Sequence, residues 1–157
     1  MYVKKIMKKE VVTVSPEQSV GEAVKLMRKN HLRALPVIDA ENRICGIFST
    51  KIVLAHVVPE YIVSGDMTSI PFAPDMGMLQ KHYADIMNRP VSEVMESEPI
   101  LVHEHESLLS TASTLASHDN CEYVFVVNES MKLLGIVSAG DVLDRLQATV
   151  MGKSADA

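Results

Sequence analysis

Two nine-residue stretches, GIFSTKIVL over residues 46–54 and GIVSAGDVL over residues 135–143, share the pattern Gly-Ile-x-Ser-x-x-x-Val-Leu. Each stretch closes a half of the chain that opens with a methionine, Met7 or Met95, followed seven residues later by a valine. Met7 and Met95 are one residue closer together in sequence than Gly46 and Gly135. We place the extra residue of the second half near Cys121. Self-similarity at this spacing predicts two related structural units with two related clefts.

Local signals predict the same order of elements, β-α-β-β-α, in both halves. In the first half a short strand precedes Ser15, which is placed to cap a helix, with Pro16 at its first position and Gln18 completing a capping box. The helix carries an apolar stripe at helical spacing, formed by Val20, Ala23, Val24 and Met27. The elements that follow are a strand over 33–38, a turn over 39–43, a strand over 44–48 and a helix from Thr50.

The second half repeats this order. Its predicted elements are a strand over 100–102, a helix through Leu108, Ala112 and Leu115, strands over 123–127 and 133–137, and a helix over 139–150. The predicted fold class is therefore mixed α/β (α+β), with two pseudo-symmetric repeats. We place the first repeat at 1–58, an insertion at 59–89, the second repeat at 90–150 and a tail at 151–157.

The insertion at 59–89 exceeds the ~12–15 residues beyond which a connection without its own structure is uncommon. Prolines and glycines interrupt it, and a short helix is predicted over 78–87, ending before Pro90. Its apolar residues, methionines included, suit either a lid packed on the edge of the core or a contact surface for a partner or a second copy.

Composition and charge exclude several classes of protein. The 157 residues are 47% apolar, enough for one core, whereas either half alone would be a marginal domain. Fifteen basic residues against 20 acidic ones give a net charge of −5, which argues against a nucleic-acid partner. No apolar run reaches the ~20 residues of a membrane-spanning helix, and we expect a cytoplasmic protein without a membrane partner. Cys45 and Cys121 are expected to be small core residues in a reducing compartment.

Three motifs occur in a fixed order: Val-x-x-Ile/Val-Met, then Leu-Pro-Val-Ile-Asp, then Gly-Ile-x-Ser-x-x-Asp-Val-Leu. With them the chain resembles a tandem pair of CBS domains, known as a Bateman module, over nearly its whole length outside the insertion and the tail. The resemblance implies a disc-like module that forms a homodimer and regulates another protein. It also implies an adenine nucleotide (AMP, ADP or ATP) or an S-adenosylmethionine-like ligand in the cleft between the repeats.

Ser138 and Asp141 begin the last predicted helix, where unpaired backbone N–H groups and the helix dipole favour an anion. A carboxylate here can accept hydrogen bonds from a ribose diol. The resemblance assigns ribose binding to this motif, with Ala139 and Gly140 between the two side chains. The same Ser-x-x-Asp spacing also forms a capping box that needs no ligand, and we expect both roles.

The first half departs from this motif, because Ile52 stands where the second half has Asp141. That half therefore offers no carboxylate to a ribose. Lys51 is either a phosphate contact or a solvated helix lysine.

Phosphate and adenine contacts follow from the resemblance. It places at Arg33 a phosphate-contacting basic residue or a neighbouring backbone contact, and a bidentate arginine suits phosphate. The counterpart of Arg33 in the second half is Glu122. An ordinary surface arginine fits the sequence equally well. Met7, Ala34 and the backbone around Tyr2 are the residues that the resemblance assigns to the adenine pocket.

No metal site or enzyme is predicted. His103, His105 and His118 do not belong to a three- or four-ligand motif of defined spacing. No catalytic triad order, nucleophile elbow or phosphate-binding glycine loop stands out. The preferred hypothesis is a stand-alone regulatory module for energy sensing, which binds an adenosine nucleotide and signals to a partner. The alternative is an interaction scaffold with a vestigial cleft, in which the methionine-rich insertion carries the function.

Overall fold

A computed structural model describes residues 1–59, 75–119 and 123–152 of the chain. Its elements are a 3-10 turn (Val3–Lys5), α1 (Val20–Lys29), β1 (Ala34–Ile38), β2 (Ile44–Ser49), α2 (Thr50–Val57), α3 (Asp75–Met87), α4 (Val91–Val94), β3 (Leu101–His103), α5 (Leu108–Ser117), β4 (Tyr123–Val127), β5 (Leu133–Ser138) and α6 (Ala139–Val150). The predicted mixed α/β class is confirmed. Within these ranges no helix has both the length and the apolar character needed to span a membrane.

Helix α1 begins later than predicted, because Ser15 does not cap it. The Gln18 side chain does accept a hydrogen bond from the Ser15 backbone N–H (2.9 Å), but the two residues close a turn instead of a helix. The Gln18 carbonyl accepts a bond from the Val91 N–H (2.8 Å), a long-range contact that keeps this stretch outside the helix. The N-cap is Ser19, whose hydroxyl accepts from the Glu22 N–H at 3.1 Å.

One compact unit consists of residues 1–12, 40–44 and 99 onward. Its sheet has the order β3-β4-β5, in which β4 runs parallel to β3 and antiparallel to β5. Helix α5 packs against α6, which also contacts β5. The buried core of this unit consists of Val3, Val102, Leu115, Val124, Val126, Val137 and Val142. The valine-rich strands predicted in the second half therefore supply most of this core.

The N-terminal arm, residues 1–9, is bound along this unit by backbone hydrogen bonds. The Val3 N–H donates to the Glu106 carbonyl at 2.9 Å, and further along Lys8 and Ile136 exchange two bonds of 2.8 and 3.0 Å. The first residues of the chain thus complete the unit that contains the second repeated motif.

The other compact unit consists of residues 13–39 and 45–98. In it β1 pairs with β2, and helix α3 contacts both α1 and α2. The strand predicted before Ser15 is reduced to a single parallel bridge between Val14 and Val37.

Helix α3 is the described part of the predicted insertion. It begins earlier than the helix predicted over 78–87 and ends at the predicted residue. Its Ile86 is buried, so this part of the insertion packs onto a compact unit. Residues 60–74 of the insertion lie outside the described residues.

Cys45 lies on β2 and is half-buried, so the prediction of a core cysteine is wrong for this residue. Burial alternates along β2, and Cys45 lies on the less buried face. Its thiol donates to the Val37 carbonyl at 3.2 Å. Burial raises the pKa of this thiol, and the nearby carboxylates of Asp39 and Glu17 raise it further, which makes it a poor nucleophile. Cys121 lies outside the described residues.

Candidate functional site

The position of the candidate site is set by a close crossing of the N-terminal arm over β5. A Cβ atom on Gly135 would lie 2.6 Å from the Lys8 carbonyl oxygen and 2.9 Å from the Met7 sulfur. Only glycine therefore fits beneath the arm. The glycine of the second repeated motif and the methionine of the first half, which sequence analysis found as separate repeats, meet in this contact.

The same crossing occurs in the other compact unit. A Cβ atom on Gly46 would lie 2.6 Å from the Met95 sulfur and 2.8 Å from the Glu96 carbonyl oxygen. Glu96 and Ile47 exchange backbone hydrogen bonds of 2.9 and 2.8 Å. Glu96 therefore occupies in this crossing the backbone position that Lys8 occupies in the first.

β5 ends at Ser138, two residues after Ile136, and α6 begins at Ala139. The Ser138 hydroxyl accepts a hydrogen bond from the Asp141 N–H at 3.2 Å. In return, Asp141 Oδ2 accepts from the Ser138 N–H at 2.8 Å and from the Ser138 hydroxyl at 2.9 Å. The expected capping box is confirmed. It fixes the carboxylate at the first turn of the helix and leaves Oδ1 outside the box.

The second carboxylate oxygen of Asp141 forms an ion pair with the arm. Lys8 Nζ lies 3.3 Å from Asp141 Oδ1. The lysine side chain is 67% exposed, whereas that of Asp141 is only 12% exposed. Sequence reasoning missed Lys8, because its contact depends on a long-range pairing of the arm with β5 that has no local signal.

Ala139 and Gly140, the first two residues of α6, are both exposed. The N–H groups at these helix positions have no acceptor within the helix. A Cβ atom on Gly140 would meet only the Ser138 hydroxyl, at 3.6 Å, so packing within the described residues does not require glycine here. The structure thus brings Ser138, Ala139, Gly140 and Asp141 together as a carboxylate, a hydroxyl and two backbone donors on one helix turn.

The first turn of α2 has the same cap without the carboxylate. Ser49 ends β2, and its hydroxyl accepts a hydrogen bond from the Ile52 N–H at 3.1 Å. Ile52 has no side-chain acceptor to complete a capping box, and Lys51 is exposed. The two turns therefore share a backbone arrangement and differ in chemistry.

Met7 and Tyr2 lie on the arm, in the same compact unit as Asp141. Met7 is partly buried and packs against the apolar core of that unit. Tyr2 is 51% exposed and meets His105 edge-on, with 5.4 Å between ring centres. These contacts give both side chains structural roles, and their part in an adenine pocket stays a prediction.

Arg33 and Ala34 belong to the other compact unit. The Arg33 carbonyl accepts a hydrogen bond from the Thr50 N–H at 2.9 Å, at the start of α2, and the Arg33 side chain is exposed. Ala34 is the half-buried first residue of β1. Their phosphate and adenine contacts stay predictions. Glu122, the predicted counterpart of Arg33, lies outside the described residues.

The histidines after β3 contact the N-terminal arm. The rings of His103 and His105 have centres 5.9 Å apart, and Lys4 Nζ lies 3.4 Å from His105 Nε2. Over the ranges that the structure describes, no group of three or more His, Cys, Asp or Glu side chains could hold a metal ion. His105 thus contacts the arm through both Tyr2 and Lys4.

Comparison with protein families gives two matches within the chain. The family model of the CBS domain matches residues 3–59 and again residues 91–148. These two segments cover most of the sequence and contain both glycine crossings and both helix starts.

Individual relatives span the chain nearly end to end. The uncharacterized protein MJ1426 of Methanocaldococcus jannaschii is 24% identical over 93% of this chain and 91% of its own length. Inosine-5'-monophosphate dehydrogenase of the same organism is 29% identical over 87% of this chain, which corresponds to only 22% of that enzyme.

The CBS-pair protein CBSX2 from Arabidopsis thaliana has a similar solved structure. It superimposes with a TM-score of 0.74 at 24% identity, and the match covers 98% of both chains. A second structure of CBSX2, in complex with AMP, gives a TM-score of 0.69. The likeness shows the same fold.

Proposed function

Because the chain belongs to the CBS-domain family, we propose that it is a regulatory module that binds an adenine nucleotide at the first turn of α6. The observation that carries the proposal is the Asp141 carboxylate, which is 12% exposed and fixed by the capping box with Ser138. A ribose diol presents two O–H donors, and an ionised carboxylate accepts such bonds strongly.

The groups around Asp141 suit the rest of such a ligand. The N–H groups of Ala139 and Gly140 lie at the positive end of the α6 dipole, where anions and ligand oxygens bind well. The Ser138 hydroxyl already donates to Asp141 Oδ2 and accepts from the Asp141 N–H, which leaves it one acceptor position for a ligand O–H. AMP bound to CBSX2 supports an adenine nucleotide as the ligand, and the partner that reads the bound state is a separate protein.

Replacement of Asp141 tests this function. Asp141→Ala removes charge-assisted hydrogen bonds to the ribose, and we expect a loss of about 1.5–3 kcal/mol, or ten- to a hundredfold in affinity for AMP. Titration calorimetry measures the affinity directly. Asp144→Ala removes the same charge from an exposed position on the same helix and is the matched control.

The variant must remain folded for the comparison to count. Loss of a helix cap costs about 0.5–2 kcal/mol, and Asp141→Asn, which keeps an acceptor for the Ser138 N–H, serves as a second variant. Circular dichroism monitors the fold of both proteins. Unchanged AMP affinity in a folded Asp141 variant would remove the ribose-binding role.

We also propose that the protein works as a cytoplasmic homodimer. Apolar side chains on α2 and α6 remain exposed, with Leu54 at 61% and Leu143 at 64%. The neighbouring Val53, Val57 and Val142 are buried and do not extend this surface. An isologous two-fold contact commonly covers such leucines. Light scattering is expected to give twice the 17.3 kDa chain mass, and a monomer at micromolar concentration, with and without AMP, would contradict it.

A further inference from the structure

The ion pair between Lys8 and Asp141 occupies the atom that a ribose would need. Oδ2 of Asp141 already accepts two hydrogen bonds from Ser138. Oδ1 is the oxygen outside the capping box, and Lys8 Nζ lies 3.3 Å from it. Each carboxylate oxygen accepts about two hydrogen bonds, so both O–H donors of a diol need Oδ1 and compete there with the Lys8 ammonium.

Displacing Lys8 costs little. Its side chain is 67% exposed, so the ammonium keeps most of its hydration, and an ion pair with such a solvated partner is weak. Asp141, whose side chain is 12% exposed, keeps its two hydrogen bonds from Ser138 when the ammonium leaves. The backbone beneath it is held by the two hydrogen bonds with Ile136. The ammonium can thus leave Oδ1 while the rest of the arm stays in place, and it remains within a side-chain length of any group bound at Asp141.

The second crossing, of residues 95–96 over Gly46, indicates that the fold does not require the ion pair between Lys8 and Asp141. Glu96 takes the backbone position of Lys8, and Ile52 takes that of Asp141. In both crossings a Cβ atom on the glycine would lie 2.6 Å from an atom of the crossing segment. The turn of α6 that carries the Asp141 carboxylate has Lys8 in the crossing segment. The turn of α2 has no carboxylate at this position, and its crossing segment has Glu96 instead.

We propose, on the basis of the nucleotide function above, that Lys8 selects ligands by charge. In the free protein it pairs with Asp141, and when a ribose diol takes Oδ1 it pairs with the phosphate of the same ligand. A phosphorylated nucleoside replaces the ion pair that it breaks. Neutral adenosine breaks the pair without replacing it. The site therefore prefers AMP, ADP or ATP over uncharged adenosine.

The test compares AMP with adenosine by titration calorimetry in wild type, Lys8→Gln and Lys9→Gln. Lys9 is the adjacent exposed arm lysine, so its variant controls for net charge. Loss of an ion pair with a solvated lysine changes affinity by up to about fivefold. We expect Lys8→Gln to bind adenosine more tightly and AMP no more tightly, so that the AMP-to-adenosine affinity ratio falls several-fold. Lys9→Gln is expected to retain the wild-type ratio.

Other outcomes would overturn the proposal. Equal tightening of both ligands in Lys8→Gln would make Lys8 a competitor without a role in selection. An unchanged ratio, or the same fall in Lys9→Gln, would remove any specific role. In each of these cases AMP binding that still depends on Asp141 leaves the nucleotide function intact. If wild type binds neither AMP nor adenosine, both the function and the role of Lys8 are wrong.

Discussion

The first turns of α2 and α6 have the same backbone and different chemistry. Each follows a strand whose glycine lies beneath a crossing segment, residues 7–8 in one case and 95–96 in the other. Each is capped by a serine, Ser49 or Ser138. Only the second adds a carboxylate, Asp141, and a lysine that pairs with it. The repeated glycines and serines serve the fold in both halves, and Asp141 and Lys8, which occur in one half, are the candidates for making one turn a ligand site.

The largest effect is expected at the repeated glycines. Gly135→Ala and Gly46→Ala each force a Cβ atom to within 2.6 Å of an atom of the crossing arm, and overpacking of this kind costs about 1–3 kcal/mol of stability. Thermal or urea unfolding is expected to show a similar loss for both variants.

Gly140→Ala is the control for these glycines. Among the described residues its Cβ atom would meet only the Ser138 hydroxyl, at 3.6 Å, and alanine favours a helix by about 0.5–1 kcal/mol. We expect stability to be unchanged or slightly raised. If one of the two crossing-glycine variants lost stability and the other did not, the two turns would not be equivalent.

A smaller effect, on binding alone, is expected at the turn without the carboxylate. Ile52→Asp supplies the missing side chain, but Glu96 stands where the other turn has Lys8, and a carboxylate beside Glu96 meets a like charge. We expect the number of AMP molecules bound and their affinity to stay as in wild type. A second site of comparable affinity in titrations of Ile52→Asp would mean that the carboxylate alone is sufficient.

Local sequence patterns were enough to predict most elements. The signals for β4, a run of apolar residues, and for the start of α6, a capping serine, lie in residues that are adjacent in sequence. The start of α1 was predicted wrongly at Ser15, since a backbone bond from Val91 holds Gln18 outside the helix. Lys8 was missed for the same kind of reason. The repeat was visible in the sequence. The crossings of residues 7–8 over β5 and of residues 95–96 over β2 were not, because each joins segments that are distant in sequence.

The number of nucleotides bound per chain tests the central claim most directly. If the carboxylate-bearing turn of α6 alone recognises the ribose, calorimetric titration of the wild-type protein with AMP should give a stoichiometry near one per chain. Two equal and tight sites per chain would contradict the account, because the turn at Ile52 would then bind as well as the turn at Asp141.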